Sequence, residues 1–338
     1  MPLLNRLQTM NVPLANAEKW FVVVNPTAGG GRGLVDWPYI SKLLRDNLIV
    51  HEYAFTERRY HATELAVEAV LAGFRRIIIV GGDGTIHEVV NGLFIQQECD
   101  PRELLLGVVG VGTGNDWMRM FGVPKKYSEA VRAIVEGNSF MQDVGRITYL
   151  ESAYRQSRYF VNGSGIGFDA FTIKTYHQML GRFRFGRWTY IRSIAKALAR
   201  FKATGVKMWV DGQEVVNDLV FSASIGIGKY SGGGLIQVPD AVADDGLFDA
   251  TVIRRMGILR ILYSFRALFT GKINDLPRVS THRGRHIRFE SSPEVWLEAD
   301  GELLGNTPVE FEVIDRAIRV IVGRDIRQDA AVPEKKAV

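Results

Sequence analysis

Over the first 140 residues, short apolar runs alternate with amphipathic stretches. Trp20–Val24, Ile77–Val80 and Leu104–Val109 place apolar residues at consecutive positions, as strands covered on both faces do. Ile49–Phe55 reads as a fourth strand and ends at Thr56. Tyr39–Asn47, Tyr60–Gly73 and Ser128–Glu136 read as helices. In the second of these, Leu65, Ala66, Ala69 and Val70 share a face, and Gly73 is a natural stop. A further helix follows Thr85, with Ile86, Val89, Val90 and Leu93 at helical spacing. Strands alternating with helices predict an α/β domain built on a doubly wound parallel sheet.

Three of those strands run into glycine-rich loops: Asn25–Gly33, Gly81–Thr85 and Gly110–Trp117. In a doubly wound sheet ligands bind beyond the carboxyl ends of the strands, so the three loops should line one cleft. Neither the GxxxxGK[ST] nor the GxGxxG spacing is present. Backbone N–H groups at a helix start favour an anion such as a phosphate. Asp83, inside GGDGT, would repel a bare phosphate; it suits a divalent cation between the two, or a polarised hydroxyl. The ordinary alternative is a tight strand-to-helix turn capped by Asp83 or Thr85.

From Met141 the period changes from helical to alternating, with nine strand-like segments between Gln142 and Val322. Asp211-Gly212 and Asp300-Gly301 read as hairpin turns. This predicts a mainly antiparallel β-sandwich as a second domain. The expected division is 1–140, 141–325 and a loose tail, 326–338, that could return to the first domain. Two helical segments interrupt the strands, Phe168–Ala203 and Met256–Thr270. The first contains a basic and aromatic cluster, Arg182–Trp188, that could touch a membrane surface. Ordinary packing with outward-reaching arginines accounts for most of each segment.

Composition is that of a globular protein: 46% hydrophobic and 23% charged residues in 338, with a net charge of +5. The positive excess suits anionic partners such as nucleotides or an acidic leaflet. Nothing points to nucleic acid, and oligomeric state is open, a homodimer included. The single Cys99 excludes a disulfide framework and a multi-cysteine zinc site. Neither a signal peptide nor a transmembrane helix is expected.

Carboxylates gather in two further places. Asp240, Asp244, Asp245 and Asp249 surround a Pro–Gly turn that could hold Mg²⁺ or Ca²⁺ or be merely solvated. Glu298, Asp300 and Glu302 flank the second Asp-Gly turn. Asp211-Gly212-Gln213-Glu214 looks much the same, and spacing does not separate the two.

The chain resembles the diacylglycerol-kinase catalytic-domain family of bacterial lipid kinases, which includes sphingosine- and ceramide-kinase-like enzymes. The matching stretches are NPTAGGGRG, GGDGTIHEVVNGL, GVGTGNDWMR, GSGIGFDA, GGGLIQVPDAVADDGLFD and EADGELLG, in family order. The resemblance implies Mg-ATP-dependent phosphorylation of a lipid hydroxyl, in a cleft between the two domains. It implies ATP contacts at Asn25, Pro26, Thr27, Ala28, Gly29, Thr56, Gly82, Asp83, Gly84, Thr85, Ile86, His87, Glu88 and Thr113. Asp83 would face the phosphates or their Mg²⁺. The turn would bind Mg²⁺ through Asp245 and the carbonyls of Val242 and Leu247. Glu302 would be the general base, with Asp300 as a second acid. The net positive charge, the Arg182–Trp188 cluster and the need to reach a lipid without a transmembrane helix predict a cytoplasmic enzyme, peripheral at the inner membrane surface. His87 stands where the family usually has Asn, and Trp117-Met118 where Phe-Ala is common. The rival readings are an NAD-kinase-like phosphotransferase, or a non-catalytic nucleotide-binding regulator.

Overall fold

The computed structural model describes residues 16, 18–112, 114–151, 154–180, 187–324 and 326. Strands β1 (Trp20–Val24), β2 (His51–Phe55), β3 (Arg76–Gly81) and β4 (Leu105–Gly110) pair in parallel in the order β2-β1-β3-β4. Five helices cover this sheet: α1 (Ala28–Asp46), α2 (His61–Leu71), α3 (Asp83–Ile95), α4 (Asp116–Met120) and α5 (Tyr127–Glu136). The uninterrupted apolar run in β3 is explained by its two covered faces. Ile77 and Ile79 pack with Leu65 of α2 and Val89 of α3. Ile78 and Val80 pack on the other side with Trp37 and Ile40 of α1 and Ile134 of α5.

Helix α1 starts eleven residues earlier than its apolar spacing suggests. Gly29, Gly30 and Gly31 all have positive φ, so the glycine loop runs straight into the helix. Gly33, Trp37, Ile40 and Leu44 then form its buried face, with Pro38 inside. At Gly33 a Cβ would lie 1.9 Å from the Asn25 carbonyl oxygen, so only glycine lets the helix pass that close to the loop.

The rest of the chain is mainly antiparallel. Its elements are β5 (Ser139–Glu151), β6 (Tyr154–Phe160), β7 (Gly163–Gly167), α6 (Phe168–Leu180), α7 (Arg187–Arg200), β8 (Thr204–Val210) and β9 (Gln213–Gly226). There follow β10 (Tyr230–Ser231), β11 (Leu235–Ile236), β12 (Phe248–Arg254), α8 (Ile258–Thr270), β13 (Val279–Gly284), β14 (His286–Ser292), β15 (Trp296–Ala299) and β16 (Glu302–Ile321). The long strands β9 and β16 belong to both layers: β7 and β15 join them on one side, β8 and β14 on the other. Phe160, Phe248, Phe289 and Phe311 fill the space between, each fully buried.

Where the sequence suggests two strands near the end, β16 is one strand of 20 residues with register shifts after Asn306 and Ile314. Its last residues return to the first sheet, Arg319 and Val320 pairing in parallel with Leu105 and Leu106 of β4. Strand β5 begins opposite the same stretch, Ser139 facing Ile321. Two adjacent strands therefore cross between the sheets. Among the described residues no helix is long and apolar enough to cross a membrane.

Candidate active site

The carboxyl ends of β1, β3 and β4 lie side by side, as parallel pairing requires, and their three loops meet. Asn25 donates from Nδ2 to Thr85 Oγ1 at 2.9 Å, and its Oδ1 accepts the Thr27 N–H at 3.0 Å. A Cβ on Gly29 would lie 3.3 Å from Val111, in the third loop. Thr56 N–H bonds Val24 O at 2.9 Å, bringing the end of β2 to the same edge. Neither α1 nor α3 has a side-chain N-cap. Thr113 lies outside the described residues.

Asp83 opens α3 and is held by the third loop: its oxygens accept the Asp116 N–H at 3.1 Å and the Trp117 N–H at 3.2 Å. Burial, with the Asp116 carboxylate nearby, pushes Asp83 up to about 6. Asp116 is 5% exposed and also raised by burial. Its Oδ2 accepts the Gly233 N–H at 2.7 Å, while its Oδ1 is buried with no partner among the described residues. Two adjacent acids, one with an orphaned oxygen, beside two helix starts fit a divalent cation whose other ligands are phosphate oxygens. The role of Asp116 was visible only as part of the GTGND stretch; its pairing with Asp83 depends on the fold.

The Asp300-Gly301 turn reaches the same cleft from the other side. Both residues have positive φ, 48° and 84°, the geometry of a two-residue hairpin turn between β15 and β16. Asp300 is wholly engaged. Its Oδ1 accepts the N–H groups of Asn162 and Gly163 at 3.0 and 3.1 Å, and its Oδ2 accepts that of Val161 at 3.0 Å. His87 Nδ1 adds a fourth contact to Oδ2 at 3.1 Å; both side chains are buried. Asp300, expected as the second acid, thus has both oxygens engaged within the protein. It also gives His87 its contact. The ring ties α3 to the hairpin.

Glu302 is arranged differently. A Cβ built on Gly84 would lie 3.7 Å from its Oε1, so the carboxylate stands against the GGDGT loop. Its Oε2 pairs with Arg59, which the sequence reading did not single out. Glu88, expected among the ATP contacts, turns its carboxylate to the N–H groups of Tyr60 and Ala62 at 2.9 and 3.2 Å, closing the start of α2.

The acidic turn at 240–249 does not fit the ion that the resemblance implies. Asp245 Oδ1 accepts the Leu247 N–H at 3.1 Å, and its Oδ2 pairs with Arg283. The same guanidinium reaches Asp249 Oδ2 at 3.3 Å. Arg283 thus supplies the positive charge between the two carboxylates, the service expected of Mg²⁺ at Val242, Asp245 and Leu247. Among the described residues no three His, Cys, Asp or Glu side chains gather as a metal group.

Beside the cleft is a pocket with a cavity volume of about 60 Å³. Helices α6, α7 and α8 wall it with apolar groups, among them Phe168, Ile173, Ile194 and Ile261. The short hairpin β10–β11, which the sequence pattern does not reveal, contributes Ser231 and Leu235. Gly233, at the tip of that hairpin, is the donor to Asp116. The pocket therefore shares a wall with the glycine loops. The Arg182–Trp188 cluster falls largely outside the described residues, and its side chains entirely so.

The family described as the diacylglycerol kinase catalytic domain matches residues 19–147. A second, the YegS C-terminal NAD kinase beta sandwich-like domain, matches residues 164–322. A diacylglycerol kinase of Mycobacterium tuberculosis is 30% identical over 264 residues, 78% of this chain and 81% of that one. In fold the chain is similar to a solved diacylglycerol kinase of Bacillus anthracis, with a TM-score of 0.69 at 24% identity, covering 92% of this chain and 98% of that one. It is also similar to a yeast NADH kinase complexed with NADH, with a TM-score of 0.51 at 12% identity over 91% and 84% of the two chains.

Proposed function

Because the chain belongs to the diacylglycerol-kinase catalytic-domain family, we propose that it transfers the γ-phosphoryl group of Mg-ATP to the hydroxyl of a diacylglycerol-like lipid. The observation that carries this reading is the shared wall: the β10–β11 hairpin lines an apolar pocket and, through Gly233, holds Asp116 beside Asp83. An apolar acceptor can thus lie with its hydroxyl at the phosphate loops.

Mg-ATP, when bound, supplies the phosphoryl group and neutralises the charge that develops in transfer. The chain's part is positioning. The loops at Asn25–Gly29 and Gly82–Thr85 bind the phosphates through backbone N–H groups. Asp83 and Asp116 hold the cation. Glu302, against Gly84, takes the hydroxyl proton, and Arg59 fixes its direction. Asp300 positions Glu302 by bracing the turn. The lipid is reached from the membrane surface by peripheral contact: Tyr263 and Phe269 are exposed on α8, with Arg260 and Arg266 exposed on the same helix.

The test is transfer of labelled phosphate from ATP with Mg²⁺ to a panel of purified lipids, with NAD as a parallel acceptor. Labelled phosphatidic acid from diacylglycerol is expected. Labelled NADP with no lipid product, or no transfer to any acceptor, would overturn the reading.

A further inference from the structure

Where β9, β12, α8 and β13 meet, the chain gathers positive charge around an open groove. The Arg254 N–H bonds the Arg278 carbonyl at 2.9 Å, and the Arg255 N–H bonds that of Leu219 at 2.7 Å. These bonds tie the end of β12 to the start of β13 and to β9. Arg255, Arg260 and Arg278 line the groove, which has a cavity volume of about 770 Å³, and all three are exposed. Asp218 is the one acid among its described lining residues. Arg254, which does not line the groove, faces that carboxylate at 3.4 Å. The groove therefore keeps a positive excess.

Three like charges around one groove repel each other, and an anion relieves that repulsion. Arg278 adds a backbone cost. Its φ is 70°, in the left-handed region that disfavours a residue with a Cβ. Such strain is characteristic of ligand sites. Guanidinium groups match phosphate oxygens through paired N–H donors. The exposed side of α8 indicates which phosphate. Arg260, Tyr263, Arg266 and Phe269 follow at intervals of three and all are exposed, the two aromatic residues at 67% and 65%. A helix side that alternates basic and aromatic groups suits the boundary between lipid headgroups and acyl chains. The same helix gives Ile261 and Leu268 to the apolar pocket, so groove and pocket share α8.

We propose that Arg255, Arg260 and Arg278 form a binding site for the phosphate group of an anionic phospholipid in the bilayer, separate from the acceptor pocket. Tyr263 and Phe269 enter the headgroup layer beside it. This rests on the lipid-kinase reading and adds the groups that choose the membrane. The contact is a headgroup site with a fixed set of arginines, whereas diffuse attraction would treat every basic residue on α8 alike.

The experiment is co-sedimentation of the whole chain, without ATP, on three kinds of vesicle. They are phosphatidylcholine alone, phosphatidylcholine with phosphatidylglycerol, and phosphatidylcholine with cholesteryl hemisuccinate at the same surface charge. The wild type should prefer the phosphatidylglycerol vesicles to the hemisuccinate ones by about tenfold, the worth of one charge-assisted hydrogen bond. Arg255→Gln and Arg278→Gly should each remove most of that preference. Glycine accepts the left-handed turn, so Arg278→Gly keeps the fold and decides the matter if Arg255→Gln does not fold. Arg266→Gln, on the same helix and outside the groove, should weaken binding to both anionic vesicles by about fivefold and leave the preference standing. Equal binding of the wild type to the two anionic vesicles overturns the proposal, as does a preference that survives in Arg278→Gly. So does an Arg266→Gln variant that loses the preference as fully as Arg278→Gly. Inorganic phosphate distinguishes a soluble anion from a headgroup. A Tm rise with phosphate that is lost in Arg278→Gly, with no preference among vesicles, makes the groove a soluble-anion site and overturns the lipid. Phosphatidylglycerol-selective sedimentation with no transfer to any lipid overturns the kinase reading and leaves this one standing. Transfer to a lipid by a chain that responds only to surface charge does the reverse.

Discussion

Asp300→Asn should damage the fold before it damages the chemistry. The carboxylate accepts three backbone N–H groups and faces His87 Nδ1, so it holds β15, β16, the segment after β6 and helix α3 in one arrangement. Asparagine can keep its oxygen toward Asn162 and Gly163. Its amide nitrogen then replaces Oδ2 and faces the Val161 N–H, donor against donor. Hydrogen bonds to a charged acceptor are worth about 1.5–3 kcal/mol each, and two are lost. His87 can turn a ring lone pair to the new amide and recover part of that, which leaves about 3 kcal/mol. On a domain stabilised by about 5–15 kcal/mol this is a large fraction. It corresponds to a fall in Tm of about 5–10 °C. The assay is thermal unfolding by circular dichroism, paired with ATP turnover well below the transition. If Asp300 were instead the base, the variant would melt with the wild type and yet be inactive. That combination would refute the positioning role argued here and return the catalytic role to Asp300.

The companion change, Glu302→Gln, should lower kcat by about 10²–10⁴ with an unchanged KM for ATP. Its Tm should hold, because a largely exposed pairing with Arg59 contributes little; a wild-type kcat would remove Glu302 from the chemistry. Asp83, raised by burial to about 6, makes the nucleotide-free protein lose stability as pH rises from the ordinary value of 3.8 through about 6. The sign follows because the folded chain holds its proton longer than the unfolded one. Urea unfolding across that window should slope downward in the wild type and flatten in Asp83→Asn; equal slopes would contradict the burial argument. With Arg283 already between Asp245 and Asp249, neither EDTA nor added Mg²⁺ should move the Tm of the nucleotide-free wild type. Arg283→Ala should lower the Tm and make it respond to Mg²⁺. A wild-type Tm that falls in EDTA would restore the metal to that turn. Tyr263→Ser with Phe269→Ser should weaken co-sedimentation with acidic vesicles more than it weakens transfer to a detergent-dispersed acceptor; unchanged sedimentation would remove α8 from the membrane contact.

How far the sequence reached is best seen at the two Asp-Gly turns, which spacing could not tell apart. Their local structure is nearly identical. Asp211 and Asp300 both have positive φ, and both accept backbone N–H groups from neighbouring strands, Asp211 those of Arg285 and His286. What separates them is the glutamate that follows, two residues after Asp300 and three after Asp211. Glu214 bonds Asn217 on an exposed strand, whereas Glu302 meets Gly84 and Arg59 across the cleft. The tetrapeptides differ only by one position in that glutamate's spacing, whereas the partners that distinguish it are tertiary. The three glycine loops were legible because each is a local strand–loop–helix event, and parallel pairing alone then brings them together. The Asp83–Asp116 pair, Arg59 and the β10–β11 hairpin were not, since each depends on segments that meet only after folding. The partner of the turn at 240–249 was hidden for a related reason. Its carboxylates are where a metal could bind, but the cation between them comes from β13, more than thirty residues downstream.

Helix α3 explains why a site split between two sheets can be well placed. Its first turn carries Asp83 and Gly84, on which the nucleotide loops and Glu302 converge. The next turn carries His87, which meets Asp300. One turn further, Asn91 exchanges two hydrogen bonds with the backbone of Tyr159, at 2.8 and 3.0 Å, and Phe94 stacks on the Tyr159 ring at 4.6 Å. Residues 87, 91 and 94 follow the spacing of one helix face, so that face is the docking edge for the second half of the molecule. The helix that opens from the Gly82–Thr85 loop is thus the helix against which Glu302 is placed. A change at Asn91, which touches neither nucleotide nor lipid, should alter the distance from Glu302 to Gly84 by tilting that edge. Such displacements of about 1 Å are enough to cost two orders of magnitude in a reaction that depends on alignment.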